Sequence, residues 1–463
     1  MKLMAREVDA TKGPLIKLIV LYTIPLILST LVQNLFNAVD IMVLGNLADT
    51  TAVASVGATS SVIQLIISAF VGLSGGLKIL FSRYFGARDG QRIKRLTDTS
   101  LISGAVMGVI LAIVGCFLAP TLLDLMRCPA ECRDGAILYI RIYMVATPAI
   151  LLYNFGSAVL TSAGDTQRPL YYIIAGGFLN AVLNVILCLL LPQKVAAVAI
   201  ATAASQVLGA FLVLRRLTRL EGEGRLQPSH MQFHWPSFWQ MLRYGLPLGI
   251  NNALYPISNL QIQSAINSYG VSGIAGNSAA ITIEGFISPL QSSFPVTATV
   301  FMGQNIGAGK EDRVKRSFWY SFLIGVAASQ LLSMAVYFTA EIWLRIILGK
   351  DLAAYDFAYS RLAVILLFQG IATAYATLSH AIQSYGYSFL SSVNSILWIF
   401  CLRLCWMTWV YPRYESFDVL MLCFLVSWLF MLVTNAIALP ICKRAFLRKQ
   451  RRIRETRRIH EQL

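Results

Sequence analysis

Residues 101–118, 172–191 and 420–440 are long, apolar and almost free of charge. A bilayer core about 30 Å thick needs about 20 such residues wound as a helix, because in lipid a chain can satisfy its backbone polar groups only internally. Hydrophobic residues make up 57% of the chain and charged residues 13%, against roughly 25% charged in soluble domains. A chain of 463 residues could bury a large core in water, but this much apolar surface would leave very large exposed patches. The fold class is therefore an all-α polytopic membrane protein. The first fourteen residues hold Lys2, Arg6, Glu7, Asp9 and Lys12, with no short apolar core or small-residue cleavage site. The first span itself is expected to direct insertion.

About twelve spans are expected, near 15–43, 52–82, 96–120, 136–160, 168–191, 195–217, 238–268, 275–303, 316–339, 354–383, 388–411 and 418–442. The breaks between them carry turn residues, as in GDTQRP at 164–169, LPQK at 191–194 and YPRYESFD at 411–418. The longest polar connection, 215–236, divides the spans into two sets of six. The expected organisation is an N-lobe over 1–220, a cytoplasmic linker at 221–237, a C-lobe over 238–442 and a basic cytoplasmic tail at 443–463.

The halves share a phrase. FGARDGQRIKR at 85–95 reappears as IGAGKEDRVKR at 306–316, with Gly86, Ala87, Arg92, Lys94 and Arg95 matched by Gly307, Ala308, Arg313, Lys315 and Arg316 at a constant offset of 221. Pro25 and Asn37 find mates in Pro247 and Asn259 one residue further on, at 222. The period is far longer than that of solenoid repeats and reads as a duplicated domain. Both phrases follow the second span of a set, and Gly–Ala is expected to let the chain turn sharply there. Six spans per half give both halves the same orientation, with a pseudo-symmetry axis along the membrane normal. Two like bundles rocking about a shared cavity make an alternating-access transporter.

A net charge of +16 would suggest nucleic acid in a soluble chain; its distribution says otherwise. With a cytoplasmic N-terminus, only Arg127, Arg133, Lys194, Arg345, Lys350 and Arg413 of the 38 Lys and Arg fall in outside loops. That asymmetry follows the positive-inside rule and places both termini in the cytoplasm of a cell-membrane protein. The tail RKQRRIRETRRIHEQL is read as a solvated segment against anionic lipid, and it lacks the aromatic residues that stack on RNA.

Two carboxylates lie well within spans, Asp40 in the first and Glu284 in the eighth, and intramembrane acids are functional candidates by default. Asp40 either serves transport or reaches water at a span end. Glu284 either faces the central cavity or is tied structurally to a helix end, to Arg361 or to Arg403. Lys78 is expected to snorkel to the surface. His230 and His234 have ligand spacing but lie in a polar loop without a third ligand. Cys128 and Cys132 flank an outside loop and could oxidise together. No phosphate-binding loop, HExxH motif or paired nucleophile and base is present, so the chain is not read as an enzyme.

The run LVQNLFNAVDIMVLGNLADTTAVASVGATS, then FGARDGQRIKR, AVLTSAGDTQRP, LNVILCLLL, VAAVAIATAASQ and FMGQNIGAGKEDRVKR resembles the multidrug and toxic compound extrusion family, over about residues 24–414. The resemblance implies two six-helix lobes and efflux of small organic, often cationic compounds in exchange for H⁺ or Na⁺, without any other cofactor. It maps a cation-coupling set onto Asp40, Asn154, Asn184 and Thr202, with a possible Na⁺ near Asp40. Where the family often has an Asp four residues after the helix-five Asn, this chain has Cys188. A thiol does not replace an oxygen ligand for a hard cation, which tilts the expectation toward protons. Asn37, Asn180 and Glu284 are assigned to the substrate cavity; Asn180, one turn before Asn184, is either a further ligand or only a joiner of helices. Expected partners are small organic substrates and membrane lipids, with the chain acting as a monomer. A lipid-linked oligosaccharide flippase is the alternative, and it would need several cavity arginines where the spans offer chiefly Arg141, Arg361 and Arg403; a membrane-embedded enzyme is a distant third.

The charge asymmetry yields a direct test. A cysteine introduced within 448–458 should resist a membrane-impermeant thiol reagent in intact cells and react after permeabilisation. Labelling from outside would overturn the topology.

Overall fold

The computed structural model describes residues 8–47, 50–125, 129–220, 225–349 and 351–462. Among them every regular element is helical. The first half carries α1 (Leu15–Leu47), α2 (Thr50–Ala87), α3 (Gly90–Leu125), α4 (Ala130–Val145), α5 (Thr147–Ser162), α6 (Gln167–Leu190) and α7 (Lys194–Thr218). After a 3-10 turn at Pro228–His230 come α8 (Trp235–Asn267), α9 (Gly270–Glu284), α10 (Ser288–Gly307), α11 (Glu311–Phe338), α12 (Ala340–Leu348), α13 (Leu352–Leu367) and α14 (Gln369–Ser384). The chain ends with α15 (Ser388–Ser395), α16 (Leu402–Cys405), α17 (Tyr411–Tyr414) and α18 (Phe417–Gln462). The stretch Ser388–Tyr414 is one rod in which two π-helical turns, Ile396–Cys401 and Trp406–Val410, flank α16.

Among the described residues eight helical rods are long and apolar enough to cross a membrane, and up to ten are if the bent pairs α4–α5 and α13–α14 each count as one span. Helices α8, α9 and α10 occupy the two remaining segments expected from sequence, near 238–268 and 275–303, and lie outside that set. Their apolar character is diluted by Asn252, Asn259, Gln263, Asn277 and Gln291. Phe117 and Phe338, 79% and 76% exposed, turn outward, as a lipid-facing surface requires.

Chain contacts divide the molecule into two compact units, residues 1–13 with 20–253 and residues 14–19 with 254–463. The division falls inside α8. In the first unit, Leu77, Phe81, Phe155, Val213 and Met241 form one core cluster, and Leu123, Tyr139, Ile140 and Val198 another. α2 and the first half of α8 cross closely enough that a Cβ on Gly72 would sit 2.6 Å from Gly249 Cα, a small-residue crossing of the kind membrane helices favour. The core of the second unit gathers Ile262, Ile283, Leu366, Tyr375, Phe424 and Trp428.

The duplicated phrase builds the same turn twice. Arg88 and Asp89 N–H donate to Phe85 and Tyr84 C=O at 3.1 Å each, and Gly309 and Lys310 N–H donate to Ile306 and Asn305 C=O at 3.1 and 2.9 Å. This is a Schellman-like closure of a helix C-terminus. The turning residue is not the Gly–Ala pair: Gly86 lies within α2 and Gly307 ends α10. It is Arg88, at φ +53°, and its mate Gly309, at φ +70°.

The bends repeat as well. α4–α5 and α13–α14 each bend by 46°, at Ala146 and at Phe368, equivalent positions at the 222 offset. The first has Pro148 just beyond it, which lacks the N–H that would continue the helical ladder. The second uses a side chain: Gln330 Oε1 accepts from Gly370 N–H at 2.7 Å while its Nε2 donates to Leu367 C=O at 3.0 Å. A side chain inserted into the ladder bends a helix while satisfying the groups it frees.

A Cβ at Gly309 would meet no atom within 4 Å, so Gly309→Ala tests backbone strain alone. It should destabilise by about 1 kcal/mol, and Arg88→Gly should be neutral or stabilising, read as shifts in thermal unfolding of the detergent-solubilised protein.

Candidate functional site

In the first unit, α1, α6 and α7 bring polar side chains together in an otherwise apolar bundle. Asn180 and Asn184 lie one turn apart on α6 and are buried, 5% and 0% exposed. Asn184 Nδ2 donates to Asp40 Oδ1 at 2.6 Å and to Asn180 Oδ1 at 3.1 Å. Asn180 Nδ2 reaches Thr202 Oγ1 at 3.4 Å, and that hydroxyl donates to Val198 C=O at 3.0 Å. Tyr139, on α4, lies within hydrogen-bonding reach of Thr202 and within electrostatic range of Asp40. Asn184 Oδ1 is buried without a hydrogen-bond partner. The result is a relay from a carboxylate through two amides to hydroxyls, with an unused acceptor beside it.

Cys188 is buried one turn beyond Asn184. Its backbone C=O, and that of Leu191 at 3.0 Å, accept from the Lys194 ammonium. Lys194 thus caps the α6 C-terminus, where the helix dipole favours a cation. Of the residues assigned to coupling, Asp40, Asn184 and Thr202 share this relay, together with Asn180. Asn154 does not: its Nδ2 donates to Ile150 C=O at 2.8 Å on its own helix. Asn37, one turn before Asp40, is exposed. Cys132 is buried; Cys128 lies outside the described residues. His234 pairs with Ser237 at the start of α8 at 2.9 Å.

The second unit holds a cavity of 280 Å³ lined by Tyr255, Asn259, Gln263, Glu284, Arg361 and Phe424 among others. Glu284 is locked there. Arg361 donates from Nε and Nη2 to its two carboxylate oxygens at 2.7 and 2.9 Å, and from Nη1 to Asn277 Oδ1 at 3.0 Å. Asn277 in turn donates to Gln263 Oε1 at 3.3 Å. A bidentate pair of this kind leaves Glu284 without net charge to offer a cation. Behind the wall made by Tyr255, Asn259 and Phe424 lies Arg403, on α16 between the π-helical turns. It is 0% exposed. Its guanidinium carbon sits 4.4 Å above the Phe424 ring, with that of Arg361 5.3 Å from the same ring.

The two units are related and opposite. Asp40 and Asn184 are separated by 144 residues, as are Asn259 and Arg403. One half joins its first and fifth rods through an acid and an amide; the other uses an amide and a base. Sequence reading flagged Asp40 and Glu284 because acids stand out in apolar runs. It missed Tyr139, one of 19 tyrosines, and Asn277, whose role exists only through Arg361.

The Glu284–Arg361 pair is testable through stability. Arg361→Met strands a carboxylate that is 17% exposed and should destabilise by about 3 kcal/mol. Adding Glu284→Gln should recover most of the loss, measured by thermal unfolding. Equal losses in the single and double variants would show the pair to be uncoupled.

The profile of the MatE family matches residues 25–186 and again 247–405, two segments that begin at the repeat mates Pro25 and Pro247. The probable multidrug resistance protein YoeA of Bacillus subtilis is 28% identical over 318 residues, 66% of this chain and 68% of that one. The probable multidrug resistance protein NorM of Thermotoga maritima is 22% identical over 403 residues, 86% and 85% of the two chains. The crystal structure of MATE in complex with MaL6 superposes with a TM-score of 0.85 at 21% identity, covering 96% of this chain and 99% of that one, which shows a shared fold. With matches to most of both halves, the chain belongs to the MatE family of multidrug and toxic compound extrusion transporters.

Proposed function

We propose that this chain is a secondary active antiporter of the cell membrane that exports small organic compounds in exchange for protons, with Asp40 as the coupling group. The observation that carries the reading is the Asp40–Asn184–Asn180–Thr202 relay. A carboxylate can hold a proton or a cation but not both at once. Exchange follows when each ligand favours a different conformation of the transporter, so that the gradient of one drives the other. The flanking amides orient the carboxylate and give a proton a hydrogen-bonded place to arrive and leave.

Protons are favoured over sodium for two local reasons. Sodium wants several oxygen ligands, and the position one turn beyond Asn184 is Cys188. The Lys194 ammonium already occupies the Cys188 carbonyl oxygen, so that backbone oxygen is not free to complete a sodium site. Organic cations are the compounds the family resemblance leads one to expect, and Asp40 is where they would compete with the proton. The proposal keeps both termini in the cytoplasm, a single chain as the working unit, and no cofactor beyond the coupling ion. The flippase reading is weaker because Glu284 neutralises Arg361, leaving few charges for a pyrophosphate.

Reconstitution into proteoliposomes tests this with ethidium as the transported cation. Wild type should export it under a pH gradient and not under a sodium gradient at fixed pH. Asp40→Asn keeps the shape of the side chain but cannot exchange a proton; it should fold normally and lose gradient-driven transport by a factor of about 100, roughly 2.7 kcal/mol of coupling. Full gradient-driven transport by Asp40→Asn would move the coupling acid elsewhere, and export on a sodium gradient alone would overturn the proton assignment.

A further inference from the structure

Arg403 is a charge without a counter-charge. Its Nη1 donates to Asn259 Oδ1 at 3.4 Å and its Nε to Ser427 Oγ at 3.3 Å, both neutral groups. Its Nη2 is buried with no hydrogen-bond partner. Among the described residues no carboxylate pairs with it, since Glu284, the acid of the adjoining cavity, is taken by Arg361. The Phe424 ring offers a cation–π contact, which offsets only part of the desolvation of a fully buried guanidinium. The wall therefore carries one net positive charge beside a cavity of 280 Å³. The remaining polar lining, Tyr255, Asn259, Gln263, Ser288, Gln291 and Gln369, consists of hydroxyls and amides, all able to donate hydrogen bonds. The π-helical turns on either side of α16 are a distortion that recurs at functional sites.

We propose that this cavity binds a small organic anion, a carboxylate or phosphate attached to an apolar body. Arg403 supplies the balancing charge from behind Asn259 and Phe424, the amides donate hydrogen bonds, and Ile281, Ile365 and Trp428 hold the apolar part. Buried charge acts over longer range than exposed charge because little solvent screens it, so Arg403 need not touch the ligand to select its sign. The cavity is far too small for a whole lipid, which favours a water-soluble compound. The inference rests on the reading of the chain as a transporter of small organic compounds and adds that a substrate with an anionic group is recognised in the second unit.

Benzoate, benzamide and benzamidine have nearly the same shape and carry negative, zero and positive charge. Equilibrium dialysis of each, radiolabelled, against full-length Asp40→Asn protein in a neutral detergent removes the acid proposed to attract cations in the first unit and reads the sign preference of the second without any ion gradient, so a failure of coupling at Asp40 leaves the test intact. That protein should bind benzoate at least about tenfold more tightly than benzamidine, a margin of roughly 1.4 kcal/mol. Arg403→Met should abolish that preference and Arg403→Lys should keep it. Glu284→Gln should strengthen it about tenfold, because it releases Arg361 from its acid; this variant preserves the shape of the wall and decides the matter if Arg403→Met does not fold. Benzoate binding no tighter than that of its neutral and cationic analogues, or a preference indifferent to both Arg403→Met and Glu284→Gln, would overturn the proposal.

Discussion

A bilayer interior offers no water to a peptide group, and that constraint shapes nearly everything in this protein. Each backbone N–H and C=O must find a partner within the chain, so the spans are helices, and every interruption of a helix must be repaired where it occurs. The bend at Phe368 exists because Gln330 takes over both orphaned backbone groups. Side chains obey the same rule. Asp40, Asn184 and Asn180 meet one another, Glu284 meets Arg361, and where a polar group goes unmatched, as at Asn184 Oδ1 and Arg403 Nη2, a ligand is the natural partner to look for.

Duplication made the scaffold, and divergence set the polar groups placed on it. The turn at Arg88 and Gly309 and the bends at Ala146 and Phe368 recur because they solve chain-reversal problems common to both halves. The polar groups do not recur. Ile262 stands where the first half has Asp40, and Arg403 answers, one turn away, the position of Asn184. An acid in one half and a base in the other give a single transporter two environments of opposite sign on one frame.

The spans, their pairing into halves and the repeated turn were legible from sequence because each rests on a local pattern: length of apolar run, turn residues, a recurring phrase. Asp40 and the α6 asparagines were legible for a related reason, since polar residues one turn apart in an apolar helix must share a face. What faces that face was not legible. Sequence left Glu284 open to Arg361 or Arg403, and only packing of α9 against α13 chooses Arg361. Asn154 was placed by resemblance with the coupling group, yet its amide bonds its own helix, an option open to any Asn that no motif excludes. The turning residue was sought in Gly–Ala because glycine is the usual occupant of a left-handed turn; in the first half the chain uses an arginine.

That arginine carries a consequence of its own. Arg88 and Gly309 occupy the same left-handed conformation, which strains a side chain and costs glycine almost nothing. Under the proposed topology the loop of Arg88 faces the cytoplasm, and a positive charge there acts while the nascent chain is being oriented in the membrane. Strain at the same residue persists for as long as the protein is folded. One position therefore serves two moments in the life of the molecule with opposite demands, and the two halves have resolved them differently: the half made first keeps the charge, whereas the half inserted into a membrane already holding its predecessor keeps the glycine.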